Sequence, residues 1–185
     1  MSKIALTPNA SGTGTLTIAA PNTSTDRTLT LPDETGTIDT LGRAGNVLQV
    51  VSATYSTQAN NGNATFANTN LSASITPSST SSNILVIVNQ PMQASANTTD
   101  SRDYGWRLLR NGSVILTQTQ RHDEEYNTGY DSKALGIGHC NYLDSPNTTS
   151  SVTYSTQINV SNTSADVYAQ FNGCTSVITL MEIAG

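Results

Sequence analysis

The sequence predicts an all-β protein, in which a short N-terminal β extension precedes an antiparallel β-sandwich head of the jelly-roll type. Three observations predict this class. No segment keeps a helical period over three turns, runs of Val, Ile and Thr recur between turn-forming clusters, and an Asn-Gly pair separates two apolar runs. Such residues avoid helices and suit strands. Regular short strands favour a sandwich over alternating strands and helices.

The N-terminal extension, residues 1–46, is predicted to be separate from the head, residues 47–185. It contains two short alternating strands, each followed by a proline that cannot donate a ladder hydrogen bond. Strands this short do not bury a core alone, so they need a partner, which is either a larger assembly, the rest of the chain or copies of themselves. Residues 42–46 form a glycine-containing joint. The candidate attachment residues are Leu16, Ile18, Leu29 and Leu31.

The head is predicted to contain nine strands, because longer apolar runs alternate with turn-rich linkers after residue 46. The clearest local signal is Asn111-Gly112, since both residues accept the positive φ that a two-residue type I′ hairpin turn requires. The predicted strands are Val47–Tyr55, Ala64–Ile75 with an internal irregularity, Ile84–Gln90, Asp103–Arg110, Ser113–Gln120, Ala134–Tyr142, Val152–Val160, Val167–Phe171 and Ser176–Ile183.

Several of these strands are apolar on both faces, which predicts a homo-oligomer. An antiparallel sheet ordinarily buries one face and leaves the other in water. Residues 84–88 contain no polar side chain, and the hairpin is expected to pair Leu108 with Ile115 on one face and Leu109 with Val114 on the other. We expect the uncovered faces to meet in a homotrimer, the alternative being a tightly closed monomer. The candidate interface residues are Leu109, Val114, Ile178 and Leu180.

The composition excludes several classes of function. The net charge is −5, and the eight Lys and Arg residues are scattered. No basic stripe is therefore available for nucleic acid. The sequence contains no 18-residue apolar stretch for a membrane span and no apolar leader for secretion, so we expect synthesis in a cytoplasm. Cys140 and Cys174 are accordingly expected to be free thiols.

No catalytic, cofactor-binding or metal-binding residue is predicted. The cluster at residues 122–125, His-Asp-Glu-Glu, offers oxygen ligands but lacks the spacing of a calcium loop, so we interpret it as a solvated loop. His139 and Cys140 are neighbours in a predicted strand and should point to opposite faces, which excludes a nucleophile pair. Carboxylate pairs for glycoside cleavage are present in number, but the sequence does not fix their separation.

Two linkers are the candidate recognition loops. Residues 93–102 and 121–133 flank the hairpin at the end opposite its Asn-Gly turn, so they should emerge together. The second linker combines aromatic rings with carboxylates, a chemistry that suits saccharides. The candidate receptor-binding residues are Tyr126, Tyr130, Asp123, Glu125 and Asp131.

Two N-terminal stretches carry a family resemblance. Residues 12–21, Gly-Thr-Gly-Thr-Leu-Thr-Ile-Ala-Ala-Pro, and residues 26–38 resemble the start of many tail fibre and related virion proteins of tailed bacteriophages. Residues 105–113 and 178–183 are similar to the C-terminal domains often joined to that start. The resemblance implies an N-terminal part that docks on the particle and a trimeric β-sandwich head. It carries no catalytic residues.

We therefore expect a homotrimeric phage fibre or knob, located in the virion. Its partners would be a second and third copy of itself, other proteins of the tail, baseplate or capsid, and a host surface polysaccharide. Weak sites repeated on a trimer would gain strength by avidity. The alternatives are a capsid decoration or head-fibre protein and a small polysaccharide depolymerase.

Overall fold

A computed structural model of the 185-residue chain describes residues 11–15, 17, 19, 22–26, 28, 43–96, 102–122, 132–161 and 165–185. The chain divides into two units, Met1–Thr37 and Ile38–Gly185. Every described strand belongs to the second unit. The role of the N-terminal segment and its boundary at residue 46 stay predictions. The candidate attachment residues Leu16, Ile18, Leu29 and Leu31 lie outside the described residues.

The second unit is nearly all β, which confirms the predicted fold class. Each of the nine predicted strands is present, and three have the predicted bounds. In chain order the strands are β1 Val47–Tyr55, β2 Ala59–Asn61, β3 Ala67–Ile75, β4 Asn83–Ala96, β5 Arg102–Arg110, β6 Ser113–His122, β7 Ser132–Asp144, β8 Val152–Val160, β9 Ala165–Ala169 and β10 Ser176–Ile183.

The described strands form two antiparallel sheets. Sheet A has six strands, and β4 is its longest member. One edge of β4 pairs with β7 over its whole length, so β10 and β9 must share the other edge. The strand β1 pairs with β10, and β2 pairs with β9. Sheet B has four strands in the order β3, β8, β5, β6.

The hydrophobic core lies between the two sheets, because alternate residues of each strand point inward. Trp106 and Tyr154 from sheet B are among its largest fully buried side chains. The Trp106 indole nitrogen donates a 2.8 Å hydrogen bond to the Gln90 side-chain carbonyl, which satisfies a buried donor. Gly138 leaves room for this ring, since a Cβ placed there would lie 2.5 Å from Trp106 Cδ1.

The predicted Asn-Gly hairpin is confirmed. Asn111 has a φ of 48° and Gly112 a φ of 81°, as a type I′ turn requires. A bulge follows it in β6, so Leu108 is opposite Leu116 rather than Ile115 as the simple register predicted. The extra residue lets both Ile115 and its neighbour pack against the core.

The predicted end of β9 is wrong by two residues. The strand stops at Ala169, and Gln170 adopts a left-handed conformation with a φ of 54° before a short 3-10 turn, Phe171–Gly173. The Gln170 backbone nitrogen donates to Pro91 O at 2.9 Å, and its side chain donates to Ser176 Oγ at 3.0 Å. These hydrogen bonds fix the change in chain direction.

A polar network connects the two sheets at the hairpin end. Asp144 of β7 accepts hydrogen bonds from Arg110 Nη1 at 2.9 and 3.0 Å and from the Tyr154 hydroxyl at 2.6 Å. Burial, reinforced by the Asp144 carboxylate, raises the pKa of the Tyr154 hydroxyl. This buried carboxylate is therefore paired, as a charge in a core must be.

Candidate functional site

The outer surface of sheet A carries a continuous apolar row. Val50, Met181, Leu85 and Leu143 are aligned by register across four neighbouring strands. Val50 is 54% exposed and Leu143 is 58% exposed. Soluble monomers seldom expose a contiguous apolar patch of this kind without using it for association.

The row belongs to a larger uncharged surface, which we call the sheet A face. It comprises the outward side chains of β1, of β10, of β4 as far as Asn89 and of the second half of β7, and it contains no Asp, Glu, Lys or Arg. The sheet A face consists of Val47, Val50, Ser52, Thr54, Val177, Thr179, Met181, Ile183, Asn83, Leu85, Ile87, Asn89, His139, Asn141 and Leu143.

The outer surface of sheet B is different in character. Its side chains form a hydrogen-bonded polar layer, in which Ser74 Oγ lies 2.7 Å from Thr153 Oγ1 and Gln157 Nε2 donates to Asn68 Oδ1 at 2.7 Å. Arg107 extends over this layer with its guanidinium 4.0 Å from the Phe66 ring centroid. Such a surface is suited to water, so the two faces of the sandwich are not equivalent.

The structure places the four candidate interface residues at different depths in the head. Ile178 and Leu180 are fully buried within a single chain, because they share the inward face of β10. Leu109 is only 4% exposed, whereas Val114 is 45% exposed. The outward residues of β10 are those of the sheet A face, including Val177 and Met181. The oligomeric interface itself stays a prediction.

The outward side of β7 is also apolar at its other end. Leu135 is 78% exposed and Ile137 is 49% exposed. Among the described strands β7 pairs with β4 alone, so one of its edges carries no neighbouring strand. Gln118 of β6 donates a 3.1 Å side-chain hydrogen bond to the His139 carbonyl near this edge.

His139 and Cys140 point to opposite sides of β7, as strand alternation predicts. His139 is exposed, whereas Cys140 is buried and burial raises the pKa of its thiol to about 11. A thiol held protonated in a core is not a nucleophile. Cys140 and Cys174 are both free, which agrees with the expectation from the sequence.

The candidate receptor-binding residues Tyr126, Tyr130, Asp123, Glu125 and Asp131 lie outside the described residues. The strand ends that flank both linkers are described, however. Ala96 pairs with Ser132, and Arg102 pairs with His122. Both linkers therefore leave the sandwich at the end opposite the Asn-Gly turn, as predicted, but they are shorter than predicted, because residues 93–96, 102, 121–122 and 132–133 belong to strands.

The described part of the chain contains no group of three or more His, Cys, Asp and Glu side chains able to hold a metal ion. Within the same residues, no helix has the length and hydropathy needed to cross a membrane.

Sequence reasoning missed two features of the surface. One is a depression on the outer surface of sheet B, beside β3, which depends on a bulge whose position a sequence pattern does not fix. The inward side of β10 was also not identified, since both of its faces are apolar. The only signal in the sequence was that Val177 and Met181 lie on one face of this strand, whereas Ile178 and Leu180 lie on the other.

No family model and no curated protein matches the chain. Solved structures of infectious bursal disease virus are similar to it. A VP2 subviral particle shares 13% identity over 74% of this chain and 38% of that chain, with a TM-score of 0.33. Virus-derived T=1 particles share 13% identity over 83% of this chain and 39% of theirs, with a TM-score of 0.35. This chain thus spans less than half the length of either protein. Structural similarity at these TM-scores does not indicate its function.

Proposed function

We propose that this protein is a virion structural protein, a homotrimeric phage fibre or knob whose heads associate through the sheet A face. The observation that carries the proposal is the continuous apolar row on an uncharged surface, Val50, Met181, Leu85 and Leu143. The resemblance of residues 12–21 and 26–38 to virion proteins supplies the setting.

A second copy of the chain is the occupant that suits this face. The chain has a net charge of −5, so two copies repel wherever their charged surfaces meet. On the sheet A face no charge has to be desolvated or paired, and this removes the main penalty of burying a polar interface. Burying one exposed Leu or Val side chain contributes about 1.5–3 kcal/mol, so a few such residues per subunit supply a substantial driving force.

The N-terminal segment and the head would have different roles in the particle. The N-terminal segment would dock on tail, baseplate or capsid proteins, and the head would project from the particle. The linkers after Ala96 and His122 would face the host, where repetition on a trimer gives avidity. Assembly would take place in the host cytoplasm, and we assign no reaction to the protein.

Light scattering of the purified protein tests the association. We expect about three times the 19.5 kDa chain mass. Leu143→Glu places a charge on the exposed apolar row and should yield folded monomers, with a melting temperature lowered by the loss of association. Ser74→Glu is the matched control, because it adds the same charge to an exposed position on an edge strand of sheet B. A wild-type monomer at micromolar concentration would contradict the proposal.

Cryo-electron microscopy of intact particles distinguishes the two virion roles. Density that projects from the tail or collar is expected for a fibre. Density spread over the shell would instead identify a capsid decoration protein, in which the sheet A face contacts capsid subunits. Release of reducing sugars from host capsule would support the depolymerase alternative.

A further inference from the structure

The outer surface of sheet B contains a depression that the proposed assembly leaves unused. It lies where β3 bulges away from β8. Asn68 pairs with Gln157 and Ser72 pairs with Ser155, so three residues of β3 are opposite one residue of β8. Asn70, at the centre of the bulge, has a left-handed φ of 64°. The resulting depression has a volume of about 220 Å³.

The floor and the walls of the depression differ in chemistry. Leu71 and Thr156 form the floor and are almost completely buried. Thr69 holds the floor in place, because its hydroxyl lies 2.5 Å from Thr156 Oγ1 and accepts a 3.3 Å hydrogen bond from Leu71 N. The walls are the side chains of Asn68, Asn70, Ser72 and Ser155.

The wall side chains offer hydrogen-bonding groups that the described protein does not use. The Asn70 amide and the hydroxyls of Ser72 and Ser155 form no hydrogen bond with another described residue. Each is exposed or half-buried at the rim, where water or a ligand can reach it. The lining contains no charged side chain, so it has no counter-charge for an anion or a metal ion.

The orientation of Asn68 is fixed by a relay of hydrogen bonds. Arg107 Nε donates to Gln157 Oε1 at 2.7 Å, which directs the Gln157 amide nitrogen toward Asn68. That nitrogen donates to Asn68 Oδ1 at 2.7 Å. The Asn68 amide nitrogen is therefore left as a donor. Side chains held on strands in this way form a preorganised site.

We propose that this depression binds one ring of a neutral saccharide. Amides and hydroxyls can both donate to and accept from sugar hydroxyl groups. The volume is smaller than that of an enclosed pocket for a drug-sized ligand, about 300–1,000 Å³, and fits a single ring held at the surface. The site is distinct from the linkers beyond Ala96 and His122.

Saturation-transfer NMR tests this site with glucose, galactose, mannose and N-acetylglucosamine as probes. We expect at least one sugar to bind the wild-type protein with a Kd of about 1 mM, as a small open site allows. Asn70→Gly removes the amide while keeping a residue that tolerates positive φ. It should weaken binding about tenfold, the loss expected for one hydrogen bond of about 1.4 kcal/mol.

Two further variants make the test decisive. Ser155→Leu fills the depression and should abolish binding. Asn147→Gly makes the same change at another exposed asparagine with positive φ and should leave binding unchanged. Failure of all four sugars to bind, or equal binding by Asn70→Gly and wild type, would overturn the proposal. The titration is repeated on Leu143→Glu, so its outcome does not depend on the oligomeric state.

Discussion

Glu182 shows how a carboxylate is accommodated in the core of this sandwich. It is fully buried on the inward face of β10. Gln49 Nε2 donates to Oε2 at 2.5 Å, and the backbone nitrogen and hydroxyl of Ser78 each donate to Oε1 at 2.7 Å. Burial alone raises the pKa of the Glu182 carboxyl, but these hydrogen bonds outweigh it and lower the pKa from 4.5 to about 2.

The lowered pKa of Glu182 predicts a defined acid sensitivity. A carboxyl whose pKa is lower in the folded state contributes stability above its unfolded pKa and loses it as the pH falls through the folded pKa. The loss should therefore occur between pH 4.5 and about 2, and it amounts to about 3 kcal/mol. Glu182→Gln cannot ionise, so its urea midpoint should change less across this range. Parallel pH profiles for the two proteins would contradict the prediction.

The packing of β7 on β5 depends on Gly138. An added Cβ would lie 2.5 Å from Trp106 Cδ1 and 2.9 Å from Met92 Sδ. Since the indole is buried and hydrogen-bonded to Gln90, it has little freedom to move. Gly138→Ala should lower the free energy of unfolding by about 1–3 kcal/mol, as measured by urea denaturation.

Gly14→Ala provides the control for this prediction, because no atom lies within 4 Å of a Cβ at that position. We expect it to leave the urea midpoint unchanged. An unchanged midpoint for Gly138→Ala as well would show that the Trp106 ring can be displaced without penalty.

The strands with strict alternation were predictable from the sequence, and the irregular ones were not. Strand β8 has the predicted bounds, and its alternate residues are buried from Val152 to Val160. Strand β2 contains three residues, and its pairing with β9 is a long-range contact that no local pattern encodes. Propensity at such positions is overridden by tertiary context.

Strand β4 was predicted to stop before Pro91 but continues to Ala96. The reason lies in its partners. Strand β10 pairs with β4 up to Asn89, and β9 begins at Met92. Because Pro91 O accepts from Gln170 N on that edge, the missing proline N–H falls in the gap between the two partners. A proline therefore does not interrupt the strand here.

The candidate sites were predictable only in part. Two apolar faces on β10 were recognised, but the choice of inward face depends on the opposing sheet. Val177 and Met181 form the outward side, whereas Ile178 and Leu180 fill the core. The irregularity predicted within residues 64–75 is real, yet the depression it creates also needs Ser155 of a distant strand.

For the whole molecule, the strand positions predict that the head folds without its N-terminal segment. All described strands begin at or after Val47. The chain just before β1 is joined to the last residues, since Gly45 N donates to Ala184 O and Ala184 N donates to Asn46 O, both at 2.8 Å. Deletion of residues 1–41 keeps these hydrogen bonds.

The deletion should therefore give a cooperative thermal transition and the same oligomeric state in light scattering, but no incorporation into particles. Deletion of residues 1–50 is the informative comparison, because it removes part of β1 and should abolish the transition. An unfolded product from the shorter deletion would place the N-terminal strands within the sheet of the head.

The position of β10 has a consequence for synthesis on the ribosome. Although β10 is the last of the described strands, it lies between β1 and β4, and Leu180 pairs with both Val51 and Val86. Until residue 183 has been translated, β1 and β4 each keep an open edge that can pair with another nascent chain. Folding of the head must therefore follow translation of its last strand, and crowded polysomes would favour mispairing between neighbouring copies.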